Sequence, residues 1–250
     1  MAMASTRELL KLAARRLFAS RGFDGVSVRD IVLAAGQRNS GSLHYYFGTK
    51  EDLARELVAD GARLIDERRN MLLDEMENEG GAIRLRHLLE ILVWPSTDLA
   101  ASDPEQKIPA SEDTYIRFIT MMQMSHRQLF NDALEGKWAS GYQRCLDHIR
   151  QKLSAIDPEL LNQRLVFMSL YLRAVMSSRE AALADGKPHH FWSAEFTMEN
   201  LLDSLEGILE PAASPKTRNA LQRHRQQLAA NQKKPRKKET VSRISIEHTV

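Results

Sequence analysis

Residues 27–53 read SVRDIVLAAGQRNSGSLHYYFGTKEDL, and their order predicts two short helices about a tight turn, then the opening of a third. Ser27 with Asp30 three residues on has the form of a capping box, so a helix is expected from Val28, with Val28, Ile31 and Val32 as its apolar face. Gly36 is expected to end it, because glycine tolerates the positive φ of a residue just past a helix. The polar run 37–40 turns the chain and opens the second helix, in which Leu43 alone reads as buried. Around Leu43 lie Arg38, Asn39, Ser40, Ser42, His44 and Tyr45, a donor-rich surface of the kind that reaches phosphates and base edges in a major groove. Thr49 to Asp52 repeats the capping pattern and starts the third helix with Lys50 at its positive end, where phosphate is the natural partner. The candidate DNA contacts are therefore Ser27, Arg29, Arg38, Asn39, Ser40, Ser42, His44, Tyr45, Tyr46, Thr49 and Lys50. An ordinary exposed polar helix is the plainer reading of the cluster, and a turn residue tied to local carbonyls is the plainer reading of Arg38. Of Tyr45 and Tyr46, one is expected to face phosphate and the other to pack, with no sign of which.

Working outward, apolar residues recur at three- and four-residue spacings and β-branched alternation is almost absent, so the fold class is expected to be all-α. A first helix is predicted over residues 6–20, capped by Ser5 and Glu8, with Leu9, Leu10, Ala13, Leu17 and Phe18 on one face and Gly22 as its stop. The helix opening at Lys50 is expected to run to about residue 77, long enough to leave the N-terminal unit, with Gly80-Gly81 ending it. Further helices are expected over 82–93, 111–131, 139–156, 158–184 and 191–209, with a loop over 95–109 and Asp157-Pro158 marking one start. Beyond Pro211 and Pro215 a polar helix is predicted over 216–231, and the tail 232–250 has the composition of a disordered segment. The domain reading is 1–53, a helix-turn-helix unit; 54–211, a helical bundle; and 212–250, a basic extension.

Charge follows the same division. Residues 1–50 carry 8 Lys and Arg against 3 Asp and Glu, residues 51–211 carry 17 against 28, and residues 212–250 carry 10 against 2. A basic head and tail flanking an acidic middle suit ends that meet a polyanion and a body that stays off it. The tail cations Lys233, Lys234, Arg236, Lys237 and Lys238 read either as nonspecific phosphate contacts or as a solvated extension. The single cysteine, Cys145, excludes an intrachain disulfide and fits a reducing compartment. With no leader pattern over residues 1–5 and no apolar run long enough to span a bilayer, a cytoplasmic protein without membrane insertion is expected.

Ala35-Gly36 followed by residues 41–53, GSLHYYFGTKEDL, resembles the signature of TetR-family transcriptional regulators. Leu17-Phe18, Gly22-Phe23 and the segment 27–31 are similar to that family's first helix and its approach to the second. Two departures stand out: one more residue separates Gly36 from Phe47 than in the commonest pattern, and His44 replaces the usual tyrosine. The resemblance implies a homodimer that binds a palindromic double-stranded operator, with a second domain enclosing a small-molecule effector cavity and pairing through its last two long helices. Those would be 158–184 and 191–209, with Leu202 either on the seam or in its own subunit's core. It further implies a repressor released by its effector; a regulator that activates or needs a corepressor is the alternative, and a helical protein-interaction module is the alternative from another class.

Candidates for the effector pocket are Trp94, Tyr115, Phe118, Met121, Met122, Met124, Trp138, Tyr142, Phe167 and Tyr171, each of which also reads as ordinary core, and the polar His126, Arg117 and Arg173, which could orient a carboxylate but also read as surface or salt-bridged residues. An enzymatic reading rests only on Cys145 with His148 and on His189-His190, pairs with no third group nearby, so no catalytic residue, metal ligand or cofactor is expected.

Overall fold

The computed structural model describes residues 5–39, 41–80, 83–97, 99 and 114–232. Its regular elements are all helical: α1 (Thr6–Arg21), α2 (Val28–Ala34), α3 (Gly41–Phe47), α4 (Lys50–Asn78), α5 (Leu85–Val93) with a 3₁₀ turn at Trp94–Ser96, α6 (Tyr115–Ser125), α7 (Arg127–Leu134), α8 (Ser140–Lys152), α9 (Pro158–Leu183), α10 (Phe196–Leu209) and α11 (Pro215–Gln232). The chain has the expected class, all-α, with a helix-turn-helix unit leading into a helical bundle. The described residues up to Glu210 form one compact unit and those from Pro211 a second, which holds the polar helix α11. The tail cations 233–238 and most of the predicted loop 95–109 lie outside the described residues.

The first three helices are short and are fixed by their ends. Ser5 caps α1 by accepting from Glu8 N at 3.3 Å, and Gly22, at φ +76°, closes it with a bond to Phe18 O. Leu10, Ala13, Ala14 and Phe18 form its buried face. Both halves of the α2 capping box are present: Asp30 N donates to Ser27 Oγ at 3.2 Å and Ser27 N donates to Asp30 Oδ2 at 2.9 Å. At its far end Gln37 N reaches Val32 O and Gly36 N reaches Leu33 O, both at 3.0 Å, which is the paired closure of a Schellman turn with Gly36 at φ +70°. Two residues of α3, Leu43 and Phe47, face the core, where the sequence pattern indicated Leu43 alone.

α4 spans 29 residues, about 43 Å, and touches α1, α3, α5, α7 and α8 along its length. Packing is continuous past residue 53. Phe18 of α1 stacks on Phe118 of α6 at 5.9 Å, and Lys11 of α1 pairs with Glu56 and Asp60 of α4 at 2.6 and 2.7 Å. Beyond α4, Arg86 of α5 pairs with Glu199 and Asp203 of α10, both at 2.5 Å, and Arg164 of α9 donates to Leu209 O at 2.6 Å.

Three expected boundaries move. The single helix predicted over 111–131 is two, broken at His126 (φ −133°, ψ 48°), because the His126 ring turns out of the helix line to meet Asp24 and Phe23. The break keeps the seven-residue spacing of Met122 and Leu129, so periodicity did not mark it. The helix predicted from Phe191 starts at Phe196, since Phe191 O accepts from Thr197 Oγ1 and His189 Nδ1 accepts from the amides of Phe191 and Trp192, holding a turn there. The helix predicted to Ile156 ends at Lys152, where Ile156 N bonds Leu153 O in a turn.

Candidate functional site

The outer face of the N-terminal unit is built from α2, the 35–40 turn and α3, and the predicted contacts fall on it in two groups. Arg29 and Arg38 are exposed and make no hydrogen bond or ion pair with the described residues, so both guanidiniums are available to solvent. Tyr45 is 80% exposed, whereas Tyr46, at 39%, leans between Tyr45 and Phe47, with ring centroids 4.9 and 6.4 Å away. Tyr45 and Tyr46 stand on α3, whose inner face is Leu43 and Phe47.

The second group spends polar atoms on the scaffold. Ser27 Oγ and Thr49 Oγ1 cap α2 and α4, donating to Asp30 and Asp52 at 2.5 and 2.6 Å, and these bonds hold both carboxyls below the usual carboxylate range. Asn39 Oδ1 accepts from Gly41 N at 2.9 Å, leaving its amide NH₂ outward, and Ser42 Oγ donates to Asn39 O. His44 Nδ1 sits 2.8 Å from Gly48 O, which closes the end of α3 and leaves Nε2 as the free ring atom. Lys50 turns back: its ammonium donates to Phe23 O at 3.1 Å and Val26 O at 3.0 Å and lies 4.1 Å over the Phe23 ring. It therefore ties the α1–α2 loop to the start of α4, a role its position at a helix start did not suggest. Ser40 lies outside the described residues.

In the bundle, a cavity of about 330 Å³ opens among α4, α6, α7, α8 and α9. Of the predicted pocket residues it brings together Tyr115, Trp138, Tyr142 and Arg173. Phe118 and Met122 are core, Phe118 stacking on Phe18 of α1. His126 sits against the head, 3.1 Å from Asp24 Oδ2, in a separate open depression. Trp94, Phe167 and Tyr171 are partly or largely exposed outside the cavity. Sequence reasoning missed Arg69, Gln123 and Phe130, which also line it. Cys145 is fully buried, with desolvation pushing its thiol up to about 11, and His148 Nε2 pairs with Glu77 at 2.8 Å. No group of three or more His, Cys, Asp or Glu side chains suited to a metal occurs among the described residues.

Residues 12–57 match the family model described as bacterial regulatory proteins, tetR family. The fold is similar to that of a putative tetR family transcription regulator from Shewanella sp. PV-4, at 15% identity and a TM-score of 0.52, covering 82% of this chain and 96% of that one. The chain has the fold and the N-terminal domain of a TetR-family regulator. Further similar structures are the probable transcriptional regulatory protein RHA5900 (22% identity, TM-score 0.47, 84% and 100% covered) and a putative TetR-family regulator from Rhodococcus sp. (19%, 0.42, 83% and 100%). No curated protein matches the sequence.

The bundle depends on buried acids that carried no motif. Asp66 of α4 caps α8, accepting from Gly141 N and Ser140 Oγ at 2.8 Å each, and Glu180 of α9 caps α6, accepting from Ile116 N at 2.9 Å and Arg117 N at 2.7 Å. The available signal was positional. Asp66 adjoins Ile65 on the buried side of α4, and Glu180 follows Met176 by four residues on the stripe that also holds Leu161, Leu165 and Met168. Among the described residues no helix is long and apolar enough to cross a membrane.

Proposed function

We propose that this protein is a sequence-specific, double-stranded-DNA-binding transcriptional regulator of the cytoplasm, and that it acts as a homodimeric repressor released from a palindromic operator by a small-molecule effector. One observation carries the DNA-binding reading: the exposed, unpaired donors Arg29, Arg38 and Tyr45 stand on a helix-turn-helix frame that matches the tetR family model. Residues 1–53 would do the reading, 54–211 would sense and dimerise, and 212–250 would add a basic extension.

The dimer seam is assigned to the outer side of α9, where Val166, Phe167, Leu170 and Tyr171 form an exposed apolar strip at helical spacing, with Phe196 of α10 also exposed. Leu202 is fully buried within its own subunit, so it belongs to the core and not to the seam. Two-fold pairing supplies the second half-site at a spacing of about 34 Å or its multiples.

Coupling runs through Tyr115. Its ring forms cavity wall, its hydroxyl donates to Val58 O at 2.7 Å, and it presses on α4 at Gly61, where a Cβ would lie 2.1 Å from the ring. A ligand that moves Tyr115 therefore acts on the helix whose first turn anchors the head through Lys50. An effector that favours the misspaced dimer weakens DNA binding by the same factor by which DNA weakens effector binding. Selecting bound duplexes from a random pool, then screening compounds for release of the selected duplex, tests the reading. Recovery of a palindrome that one class of compound releases is expected; an absence of enriched duplexes would overturn it, and enrichment with tighter binding on compound addition would favour a corepressor.

A further inference from the structure

The cavity is electrically one-sided. Among the described residues its lining includes two arginines, Arg69 and Arg173, and no aspartate, glutamate or lysine. Arg173 has a neutral neighbour within the lining, donating to Gln123 Oε1 at 2.7 Å. Arg69 is more exposed to the problem of burial: Nη2 donates to Leu92 O at 2.8 Å, Nε is buried with no acceptor, and no ion pair to Arg69 occurs among the described residues. Its neighbouring carboxylate one turn back, Asp66, is occupied by Gly141 N, Ser140 and Asn70. Desolvation accordingly pulls the Arg69 guanidinium below its usual range, whereas Arg144 on the same bundle, bonded to Asp74 and Glu77, is held above it. A buried cation without a counterion is costly, and one facing a cavity has room for the counterion to be a ligand.

The remaining walls set the rest of the ligand. Tyr142, 5.7 Å from the guanidinium, stands with Trp138, Phe130 and Tyr115 to give an aromatic enclosure. A volume of about 330 Å³ lies at the small end of ligand sites, which span about 300–1,000 Å³. We propose that the cavity binds a compact aromatic carboxylic acid, with the carboxylate on the free edge of the Arg69 guanidinium and the ring among Trp138, Tyr142 and Phe130. The planar guanidinium fork matches a carboxylate in a way that a neutral amide or alcohol does not. The proposal rests on reading this cavity as the effector site and specifies its chemistry.

Isothermal titration of the full-length protein with naphthoate and with naphthamide, equal in shape and different in charge, tests it. Naphthoate is expected to bind at least about tenfold more tightly than naphthamide. Arg69→Met is expected to remove that preference while leaving naphthamide affinity within about twofold, and Arg69→Lys to restore part of it. Equal affinity for the pair, undiminished naphthoate binding by Arg69→Met, or no naphthoate binding at all would overturn the proposal. If Arg69→Met does not fold, the wild-type ratio and the Arg69→Lys variant decide the question. Release of a selected duplex, followed in parallel, separates the two claims. Arg69-dependent naphthoate binding that leaves DNA bound upholds the anion site and overturns the effector reading; release by neutral compounds alone overturns the anion site and leaves the effector reading standing.

Discussion

The head and the bundle are both helical, yet they are held together by interactions of different range. In the head, helix ends are fixed by partners three to five residues away: Ser27 with Asp30, Thr49 with Asp52, Gln37 with Val32. In the bundle, the corresponding ends are fixed across the fold, with Asp66 capping α8 from 75 residues away and Glu180 capping α6 from 64. The head can therefore present a polar face outward without its own framework, while the bundle surrounds a cavity only because distant acids hold its walls. Removing a local cap frays one helix end; removing a distant one unties two elements.

The contrast is broken most forcefully at Asp66. Asp66→Ala leaves Gly141 N and Ser140 without their acceptor and is expected to cost about 2–4 kcal/mol, since charged hydrogen bonds contribute about 1.5–3 kcal/mol and a buried donor is left unpaired. Urea denaturation checks this, and a loss under 1 kcal/mol would mean that the long-range cap is decorative.

This division also explains what could be read from the amino-acid order. Capping pairs, the Gly36 turn and the outward set Arg29, Arg38 and Tyr45 were legible because their determinants lie within one or two helical turns of each other. The cavity was not: Tyr115, Trp138, Tyr142 and Arg173 were identified, but Phe118 and Met122, three and seven residues after Tyr115 on the same side of α6, are packed into the core, Phe118 against Phe18 of α1, a choice set by a neighbour distant in sequence. Arg69 and Asp66 gave no signal beyond a charged residue on a long helix. Lys50 was visible as a cation at a helix start, but its direction was set by Phe23 O and Val26 O, which are 27 and 24 residues earlier.

Next in size is Gly61. Helix propensity alone would make Gly61→Ala stabilising by about 1 kcal/mol. The Tyr115 ring instead makes it an overpacked site, with an expected loss of about 1–3 kcal/mol and weaker coupling between cavity and head. Equilibrium unfolding gives the sign, and a stabilised variant would show that α4 and Tyr115 are not in the contact described.

Lys50→Ala separates scaffold from interface within the head. Loss of two charged bonds to carbonyls should lower stability by about 1–3 kcal/mol, and duplex affinity should fall for all sequences alike. A variant of unchanged stability with lower affinity would return Lys50 to the phosphate role alone. Ser27→Ala, which removes one local cap, should cost about 1 kcal/mol and raise amide exchange chiefly within α2; exchange spreading into α8 or α9 would erase the distinction between the two regions.

The salt dependence of duplex affinity tests the account most directly, measured on a selected sequence for the wild type and for Arg38→Ala. The exposed unpaired cations of the head predict a slope of log K against log salt more negative than about −3 for the proposed dimer, reduced by about two, one phosphate contact per subunit, if Arg38 meets phosphate, or unreduced with altered base preference if it reaches a base edge. A slope near zero, or an Arg38→Ala protein identical to the wild type in both slope and preference, would contradict the assignment of this face to DNA.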